Sequence, residues 1–378
     1  MKQSTISKPA KPHPGFPLFP HATRRWAKKV RGKMHYFGPW DDPQGALAEW
    51  LRVKDDLLAG RATRPKTEGL PLRELLNRFL TAKQRLVDSG EIRQRSWDEY
   101  HASCERLVSA FGRDRVIADL AGDDFETHRA NLAKKWNPTT LTNEIQRVRT
   151  VFKFAFDEGL IGRPVRFGSS FKKPSRRVMR VTRQEKGERM LEAPQIQSLL
   201  KDASSILRAM VLLGINGGFG NRDVGLLPLA ALDLDGGWIN FPRPKTGISR
   251  RVPLWPETVA ALREVVANRP PTTDSSVSGL VFVTKYGGAW AKEQAGRDPV
   301  CLMFGRLLRN LKLHRPGIGF YALRHTFRTI ADAARDQPAA HSIMGHADDT
   351  IDGHYRERID DCRLRRVVDH VRGWLFVE

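Results

Sequence analysis

The stretch from Gly317 to Asp360 constrains the fold of this chain more than any other, because clear helix and turn signals separate its polar residues. Arg324 opens a segment whose apolar residues recur at helical spacing, and this pattern predicts a helix. A second, short helix is predicted from Gln337 to Met344, with proline in its first turn and Gly345 closing it. The stretch therefore predicts consecutive short helices joined by tight turns.

Three side chains of this stretch are suited to one chemistry. His346 directly follows Gly345, and Tyr355 comes nine positions after His346. Two turns between helices can place the guanidinium of Arg324, this imidazole and this phenol around one small anion. A phenol, with a pKa of about 10, is a poor nucleophile at neutral pH unless the developing charge is stabilised. Paired guanidinium groups around a phosphodiester would do so, because each can fork onto two phosphate oxygens.

The charge of the chain indicates a polyanionic partner. The sequence has 64 Lys and Arg against 42 Asp and Glu over 378 residues, a formal net charge of +22. Such a surplus favours nucleic acid over anionic lipid. The best apolar run, Ala209 to Ile215, is far too short to span a membrane, and the basic, proline-rich N-terminus lacks the apolar region of a secretory signal.

The cysteines indicate the compartment. Cys104, Cys301 and Cys362 are odd in number and lack metal-ligand spacing, which is typical of buried thiols in a reducing cytosol. We therefore expect a cytoplasmic protein that binds nucleic acid and has no metal site.

The motif LRHTF at 323–327, and a Gly-His pair followed nine residues later by tyrosine, resemble the catalytic end of the tyrosine recombinases (phage integrase family). The resemblance implies a mainly α-helical protein with a small antiparallel β-sheet. An α-helical core-binding domain would precede a mixed α/β catalytic domain of the DNA breaking-rejoining type. The implied activity is site-specific recombination of double-stranded DNA through a 3′-phosphotyrosyl intermediate, by a homotetramer on DNA that needs neither metal nor ATP.

The resemblance also implies catalytic roles. Arginines would clamp the scissile phosphate, a lysine at the tip of a β-hairpin would protonate the leaving 5′ oxygen, and Tyr355 would attack the phosphorus. A histidine and a second tyrosine, Tyr321, would assist. In chain order the implied site residues are Arg222, Lys245, Tyr321, Arg324, His346 and Tyr355.

The sequence departs from the family pattern at two positions. The family has a glutamate three residues after the first arginine, where Gly225 stands, so acidic support would come from elsewhere, with Asp223 as the candidate. The family has a histidine three positions before the second arginine, where Tyr321 stands. A neutral phenol can donate to a phosphate oxygen but accepts protons poorly. His346 thus becomes the imidazole that donates to phosphate or helps to deprotonate Tyr355.

Composition and periodicity divide the chain into segments. Residues 1–66 carry 14 Lys and Arg against 5 Asp and Glu, with a hairpin pattern around Arg31-Gly32-Lys33. These residues form either a small DNA-binding arm or a solvated appendage. We predict a disordered basic tail over 1–22, the arm over 23–66, the helical core-binding domain over 67–165, a basic linker over 166–190, the catalytic domain over 191–358 and a C-terminal helix over 359–378.

Basic residues of the arm, the linker and the hairpin are predicted to contact DNA. They are Arg24, Arg25, Lys28, Lys29, Arg31, Lys33, Lys172, Lys173, Arg176, Arg177, Arg243, Arg250 and Arg251. Two further histidines, His325 and His354, flank site residues, and we expect both to be structural.

Periodicity also predicts elements of the catalytic domain. One long amphipathic helix is expected from Pro194 to Gly214, a hairpin around Thr246-Gly247, and a short strand from Leu280 to Val283. The apolar stripe of the C-terminal helix can pack either on its own domain or on a neighbouring protomer. The glycine-rich turn at 216–220 lacks the spacing and the Lys-Ser/Thr of a nucleotide-binding P-loop.

Two other functions are compatible with the sequence. A type IB topoisomerase-like enzyme would use the same phosphotyrosine chemistry to relax DNA, although the basic N-terminal arm favours recombination. A non-catalytic DNA-binding relative would explain Tyr321 and Gly225 as signs of decay. The presence of both arginines, the lysine and Tyr355 argues against decay.

Overall fold

The chain forms two compact units, Met1–Thr182 and Arg183–Glu378. The computed structural model describes residues 8–60, 69–272, 274–291, 298–347 and 355–376. The described part is mainly helical, with two small antiparallel sheets, as the sequence predicted. Within these residues we find no helix long and apolar enough to cross a bilayer. His354 lies outside the described residues.

The first unit begins with the predicted arm, a three-stranded antiparallel sheet followed by a helix. Its elements are β1 (Phe19–His21), β2 (Arg25–Val30), β3 (Lys33–Pro39) and α1 (Pro43–Ala59). Arg31 and Gly32 both have positive φ, at 49° and 83°. A two-residue turn of this kind matches the twist of the flanking strands.

The prediction of a disordered tail up to residue 22 is wrong for its final part. Pro20 pairs with Trp26 across β1 and β2, and Phe16 and Leu18 are buried at 2% and 0% exposure. These two side chains complete the arm's core, which also contains Trp26 and Trp50. Burial of apolar area therefore orders a segment whose proline and lysine content suggested disorder.

The rest of the first unit is the predicted helical domain. Its helices are α2 (Leu72–Asp88), α3 (Gln94–Phe111), α4 (Gly122–Ala133) and α5 (Pro138–Asp157). Asn137 starts α5, because its side chain accepts hydrogen bonds from the backbone N–H groups of Thr139 and Thr140. The core is made by apolar stripes such as Leu141, Ile145, Val148 and Phe152 on α5.

A helix without a buried residue lies in the basic segment predicted as a linker. This helix, α6 (Arg176–Glu185), has the sequence RRVMRVTRQE. The basic residues at 172, 173, 176 and 177 are exposed. Their contact with DNA stays a prediction.

The second unit packs helices around one core and a small sheet. Its helices are α7 (Ala193–Asp202), α8 (Ser205–Gly217), α9 (Asn221–Gly225), α10 (Pro256–Ala267), α11 (Ser275–Ser278), α12 (Pro299–Asn310), α13 (Ala322–Asp332), α14 (Gln337–Met344) and α15 (Asp361–Leu375). Its strands are β4 (Leu232–Asp233), β5 (Trp238–Asn240) and β6 (Arg251–Pro253), paired in that order.

Two predicted elements of this unit are wrong. The expected single helix over 194–214 is broken at Ala203, whose backbone is extended, and Ser204 then caps α8 through a hydrogen bond from the Leu207 N–H. A serine that can cap a new helix competes with continuing the old one. The expected strand over 280–283 consists only of isolated bridges, Pro228 with Leu280 and Val283 with Ala289.

The C-terminal helix α15 packs on its own domain. Its apolar stripe, including Leu364, Val367 and Val371, is buried in the core of the second unit. The indole of Trp255 donates to the carbonyl of Val368 at 2.9 Å. Of the two packing partners that the sequence left open for this helix, the structure of this chain shows its own domain.

We expect a pH-dependent loss of stability from His128 in α4. Burial lowers the pKa of His128 to about 4, and its Nε2 has no hydrogen-bond partner among the described residues. Because the unfolded imidazole has a pKa of about 6.5, the stability is complete above that value and is lost as the pH falls towards 4. At about pH 4.5 the loss should reach about 2 to 3 kcal/mol in the free energy of unfolding of the first unit.

Urea unfolding of wild type and His128→Leu at neutral and acidic pH would measure this loss. His128→Leu should not show the acid-induced loss of unfolding free energy that His128 causes. His101→Leu should still show it, because the His101 side chain is 43% exposed. An equal pH dependence in wild type and His128→Leu would contradict the expectation.

Candidate active site

The first segment of the site is the turn between α8 and α9. Gly218 has a left-handed backbone with φ of 63°, which ends α8. The carboxylate of Asp223 accepts the Gly220 N–H at 2.8 Å and starts α9. Arg222, the second residue of α9, is half-buried. Its Nε atom is fully buried and has no hydrogen-bond partner among the described residues. A buried, unpaired donor is costly, so this guanidinium is suited to an anionic ligand.

Arg324 is the buried centre of the site. It is 2% exposed on α13, and it donates from Nη1 to the Gly218 carbonyl and from Nη2 to the Met344 carbonyl at 2.7 Å. Burial, followed by the charge of Arg243, lowers the pKa of Arg324 to about 10. Arg324 nevertheless stays charged at neutral pH, and it joins the ends of α8 and α14.

Gly345 and His346 form the turn after α14. Gly345 has φ of 60° and ends the helix. The imidazole of His346 is half-buried against the ring of His341, with ring centroids 5.5 Å apart. Burial, and then Arg324 and Arg243, lower the pKa of His346 to about 4. At neutral pH the His346 imidazole is therefore uncharged and has a nitrogen that can accept a proton.

The predicted hairpin between β5 and β6 packs on this turn. Thr246 donates from its hydroxyl to the Gly345 carbonyl at 3.2 Å, and Arg243 donates to the same carbonyl at 3.4 Å. Lys245, at the hairpin tip, is exposed. The hairpin thus presents the exposed side chain of Lys245, while Arg243 and Thr246 fix the loop to the Gly345-His346 turn.

The tyrosines differ in their surroundings. The ring of Tyr321 lies beside Gly220, where an added Cβ would be 3.3 Å from its Cε2, and Tyr321 remains 43% exposed. Tyr355 is 82% exposed, and the described residues give it no hydrogen bond or ring contact. The segment after Tyr355 lines a cleft of about 390 Å³ together with His346 and His341. The structure therefore brings Tyr321, Arg324 and His346 together but leaves Tyr355 and Lys245 at the surface.

Asp223 and Arg250 form an ion pair that motif matching alone did not predict. The Arg250 Nη1 lies 3.3 Å from the Asp223 carboxylate, with both side chains buried. Arg250 is 1% exposed and its guanidinium stacks over Phe219 at 4.3 Å. Arg250 is therefore held within the chain, and its contact with DNA stays a prediction. Arg250 directly precedes β6 and lies two positions before the buried Val252, so alternation from Val252 could have indicated its inward direction.

The other basic residues of the hairpin are also engaged within the chain. Arg251 pairs with Asp361 at 2.8 Å and stacks over Trp238 at 4.0 Å. Arg243 is 8% exposed. Contacts of these two residues with DNA stay predictions. Over the described ranges there is no cluster of histidine, cysteine or carboxylate side chains suited to a metal ion.

Most of the second unit is similar to a known protein family. Residues 180–360 match the model of the phage integrase family. We call residues 180–360 the integrase-family region. The integrase-family region contains all the implied catalytic residues, from Arg222 to Tyr355. No curated protein matches the chain by sequence.

Solved structures extend the similarity of fold beyond the integrase-family region. A lambda integrase dimer bound to a COC′ core site is 16% identical, with a TM-score of 0.57 over 93% of this chain and 99% of that chain. A lambda integrase tetramer bound to a Holliday junction is 16% identical, with a TM-score of 0.58 over 92% and 98%. The Tn1549 transposon integrase with circular intermediate DNA is 17% identical, with a TM-score of 0.57 over 80% and 99%. At these identities the likeness establishes the fold.

We expect Gly345→Ala to lower the free energy of unfolding of the second unit. A Cβ at Gly345 would lie 2.8 Å from Arg243 Cβ and 2.8 Å from Arg250 Cδ, in a backbone with positive φ. Strain in the left-handed region alone costs about 1 to 2 kcal/mol, and the clash adds to that cost. Gly317 offers a matched control, because it also has positive φ but an added Cβ would meet nothing within 4 Å.

Denaturant unfolding of both alanine variants would separate crowding from strain. Gly345→Ala should lose more unfolding free energy than Gly317→Ala. Equal losses in the two variants would show that the packing of Gly345 against the arginine stems is unimportant.

Proposed function

We propose that this protein is a tyrosine recombinase that cuts and rejoins double-stranded DNA at specific sites through a 3′-phosphotyrosyl intermediate. The observation that carries the proposal is a concentration of guanidinium groups around one buried carboxylate. Arg243, Arg250 and Arg324 are buried, as is Asp223, and Arg222 directly precedes Asp223 in the sequence. Buried cations in excess over anions favour an anionic ligand, and a scissile phosphate supplies the missing charge.

Phosphate binding falls to Arg222 and Arg324. Arg324 is held by the carbonyls of Gly218 and Met344, which use two of its five N–H groups. The unpaired Nε of Arg222 provides a further donor. Guanidinium groups fixed before the reaction stabilise the negative charge that grows on the phosphate oxygens in the transition state.

The chemical step transfers the phosphoryl group to Tyr355. Its oxygen forms a bond to phosphorus while the bond from phosphorus to the 5′ oxygen breaks. The proton of the phenol goes to the uncharged imidazole of His346, and Lys245 gives a proton to the leaving 5′ oxygen. Tyr321 donates a hydrogen bond to a phosphate oxygen. The free 5′ hydroxyl of a second strand reverses these steps and completes rejoining.

The exposed position of Tyr355 is compatible with this role if DNA binding brings the hydroxyl to phosphorus. Residues 356 to 359 line the same cleft as His346, so the chain reaches the site next to Tyr355. Structures similar in fold are a dimer on a core site and a tetramer on a Holliday junction. They support a homotetramer on DNA as the working assembly of this chain.

We expect Tyr355→Phe to bind DNA normally and to give no covalent adduct with a nicked suicide substrate, because the attacking oxygen is absent. Tyr321→Phe is the matched control. It should still form the adduct, with a rate reduced about 5- to 30-fold, the effect of losing one neutral hydrogen bond of about 1 to 2 kcal/mol. Gel separation of adducts and peptide mapping measure both. An adduct that persists in Tyr355→Phe, or that maps to Tyr321, would refute the assignment.

The same substrates distinguish the competing functions. A recombinase joins the cleaved strand to a 5′ hydroxyl of a partner duplex, whereas a topoisomerase-like enzyme reseals its own strand and relaxes supercoiled DNA. A non-catalytic relative would bind DNA and form no adduct.

The arm is the second element that we propose to contact DNA. Lys29 and Lys33 are exposed on its sheet, as are Met34 and Tyr36. Lys28 is different, because its ammonium lies 4.6 Å from the Trp50 ring and donates to the Pro17 carbonyl. Lys28 is therefore held inside the arm. The remaining exposed cations of the arm, which form the proposed contact, are Arg24, Arg25, Lys29, Arg31 and Lys33.

We expect Arg25→Gln, Lys29→Gln and Lys33→Gln together to lower the salt dependence of DNA binding. Removing one cation that binds a phosphate should reduce the slope of log affinity against log salt by about one unit. Arg78→Gln with Lys153→Gln is the control, because these side chains pair with Glu74 and Asp157 on their own helices. An unchanged slope in the triple variant would make the arm a solvated appendage.

A further inference from the structure

The family's usual glutamate is absent at Gly225, yet a carboxylate from the same short helix reaches the site. Asp223 directly follows Arg222, and its Oδ2 has two partners. One is the Gly220 N–H at 2.8 Å and the other is the Arg250 Nη1 at 3.3 Å. A single carboxylate therefore fixes the start of α9 and receives the guanidinium of the hairpin strand.

Arg250 continues this connection into the hairpin. Its Nε donates to the Phe241 carbonyl at 3.0 Å, and the Phe241 N–H donates to the Arg250 carbonyl at 3.1 Å. This residue pair is the last rung before the loop of Lys245, which is closed by the hydrogen bond from Arg243 N to the Ile248 carbonyl at 2.8 Å. Arg250 thus holds the residue pair from which the loop of Lys245 extends.

The surroundings leave Arg250 little freedom. Its guanidinium stacks over Phe219 at 4.3 Å and lies 5.5 Å from the Phe241 ring. An added Cβ on Gly345 would lie 2.8 Å from its Cδ. The side chain therefore contacts the turn after α8, the hairpin and the Gly345-His346 turn.

Gly225 itself has a packing role. An added Cβ there would lie 3.1 Å from both the Cβ and the N of Ala291. A glutamate at this position would meet that segment, so the acidic group has to come from another position of the helix. Asp223 satisfies this requirement.

We infer that the Asp223–Arg250 pair is a positioning element that holds the Lys245 hairpin in register with the phosphate-binding arginine Arg222, and that it replaces the acidic residue absent at Gly225. The inference rests on the proposed function, because it assigns Lys245 as the proton donor to the leaving oxygen. Asp223 and Arg250 act on the leaving oxygen only through Lys245.

A DNA substrate with sulfur in place of the bridging 5′ oxygen tests this role. A thiolate leaves without protonation far more readily than an alkoxide, so cleavage of this substrate no longer needs the general acid. Lys245→Ala serves as the reference, slow on the oxygen substrate and restored on the sulfur substrate. The full-length protein is used throughout, with DNA affinity and thermal unfolding measured for each variant.

Arg250→Met should behave as Lys245→Ala does. Single-turnover cleavage of the oxygen substrate should fall about 100-fold, the lower range for the loss of a general acid, while the sulfur substrate is cleaved at nearly the wild-type rate. Asp223→Asn keeps an acceptor for the Gly220 N–H and loses the charge, so it should show the same pattern more weakly. Glu257→Gln breaks a more exposed pair, with Arg372 between α10 and α15, and should leave both rates unchanged.

The double variant Asp223→Asn with Arg250→Met tests whether the defect of Arg250→Met comes from impaired folding. It removes both members of the pair, so neither is left as an unpaired buried charge. It should be more stable than Arg250→Met alone, while its oxygen-substrate cleavage stays slow. Recovery of that rate in the double variant would overturn the inference, since the single variant's defect would then come from an unpaired charge. Equal losses on the two substrates, or no loss on either, would also overturn it. A wild-type protein that forms no adduct with either substrate would instead refute the proposed function.

Discussion

The burial of the Arg324 guanidinium is the constraint on which the site depends. A charged group with 2% exposure is tolerated only where hydrogen bonds replace its hydration. Its two carbonyl acceptors, those of Gly218 and Met344, lie at the C-terminal ends of helices. Such ends carry partial negative charge, so α8 and α14 converge on this cation, and the turns that follow them lead to Arg222 and His346.

The glycines of these turns follow from the same convergence. Gly218 and Gly345 both have positive φ, and neither has room for a side chain. An added Cβ would be 3.1 Å from Phe327 at Gly218, and 2.8 Å from Arg243 and Arg250 at Gly345. Gly345 is therefore needed for two reasons, its left-handed backbone and the arginine side chains packed against it.

Charge links this architecture to function. Burial and the charge of Arg243 lower the pKa of Arg324, and Tyr321 and Asp223 raise it by less. The same surroundings hold the pKa of His346 at about 4. The site is therefore short of negative charge and keeps its imidazole uncharged, so an anionic ligand relieves the repulsion among its arginines. A phosphodiester at this place would be bound by groups that the fold has already ordered.

The sequence by itself determined the two short helices after Gly317, the hairpin around Thr246-Gly247 and the helix stop at Gly345. Local signals such as capping residues, apolar periodicity and glycine are sufficient for these features. It also supplied the family and the candidate residues from the spacing of Arg324, His346 and Tyr355. Only the tertiary structure decided which cations are buried, because inward and outward arginines look alike in a basic sequence. Packing from distant segments encloses Arg250 between Asp223 and Phe219, and burial of Phe16 and Leu18 orders a segment of disordered-like composition.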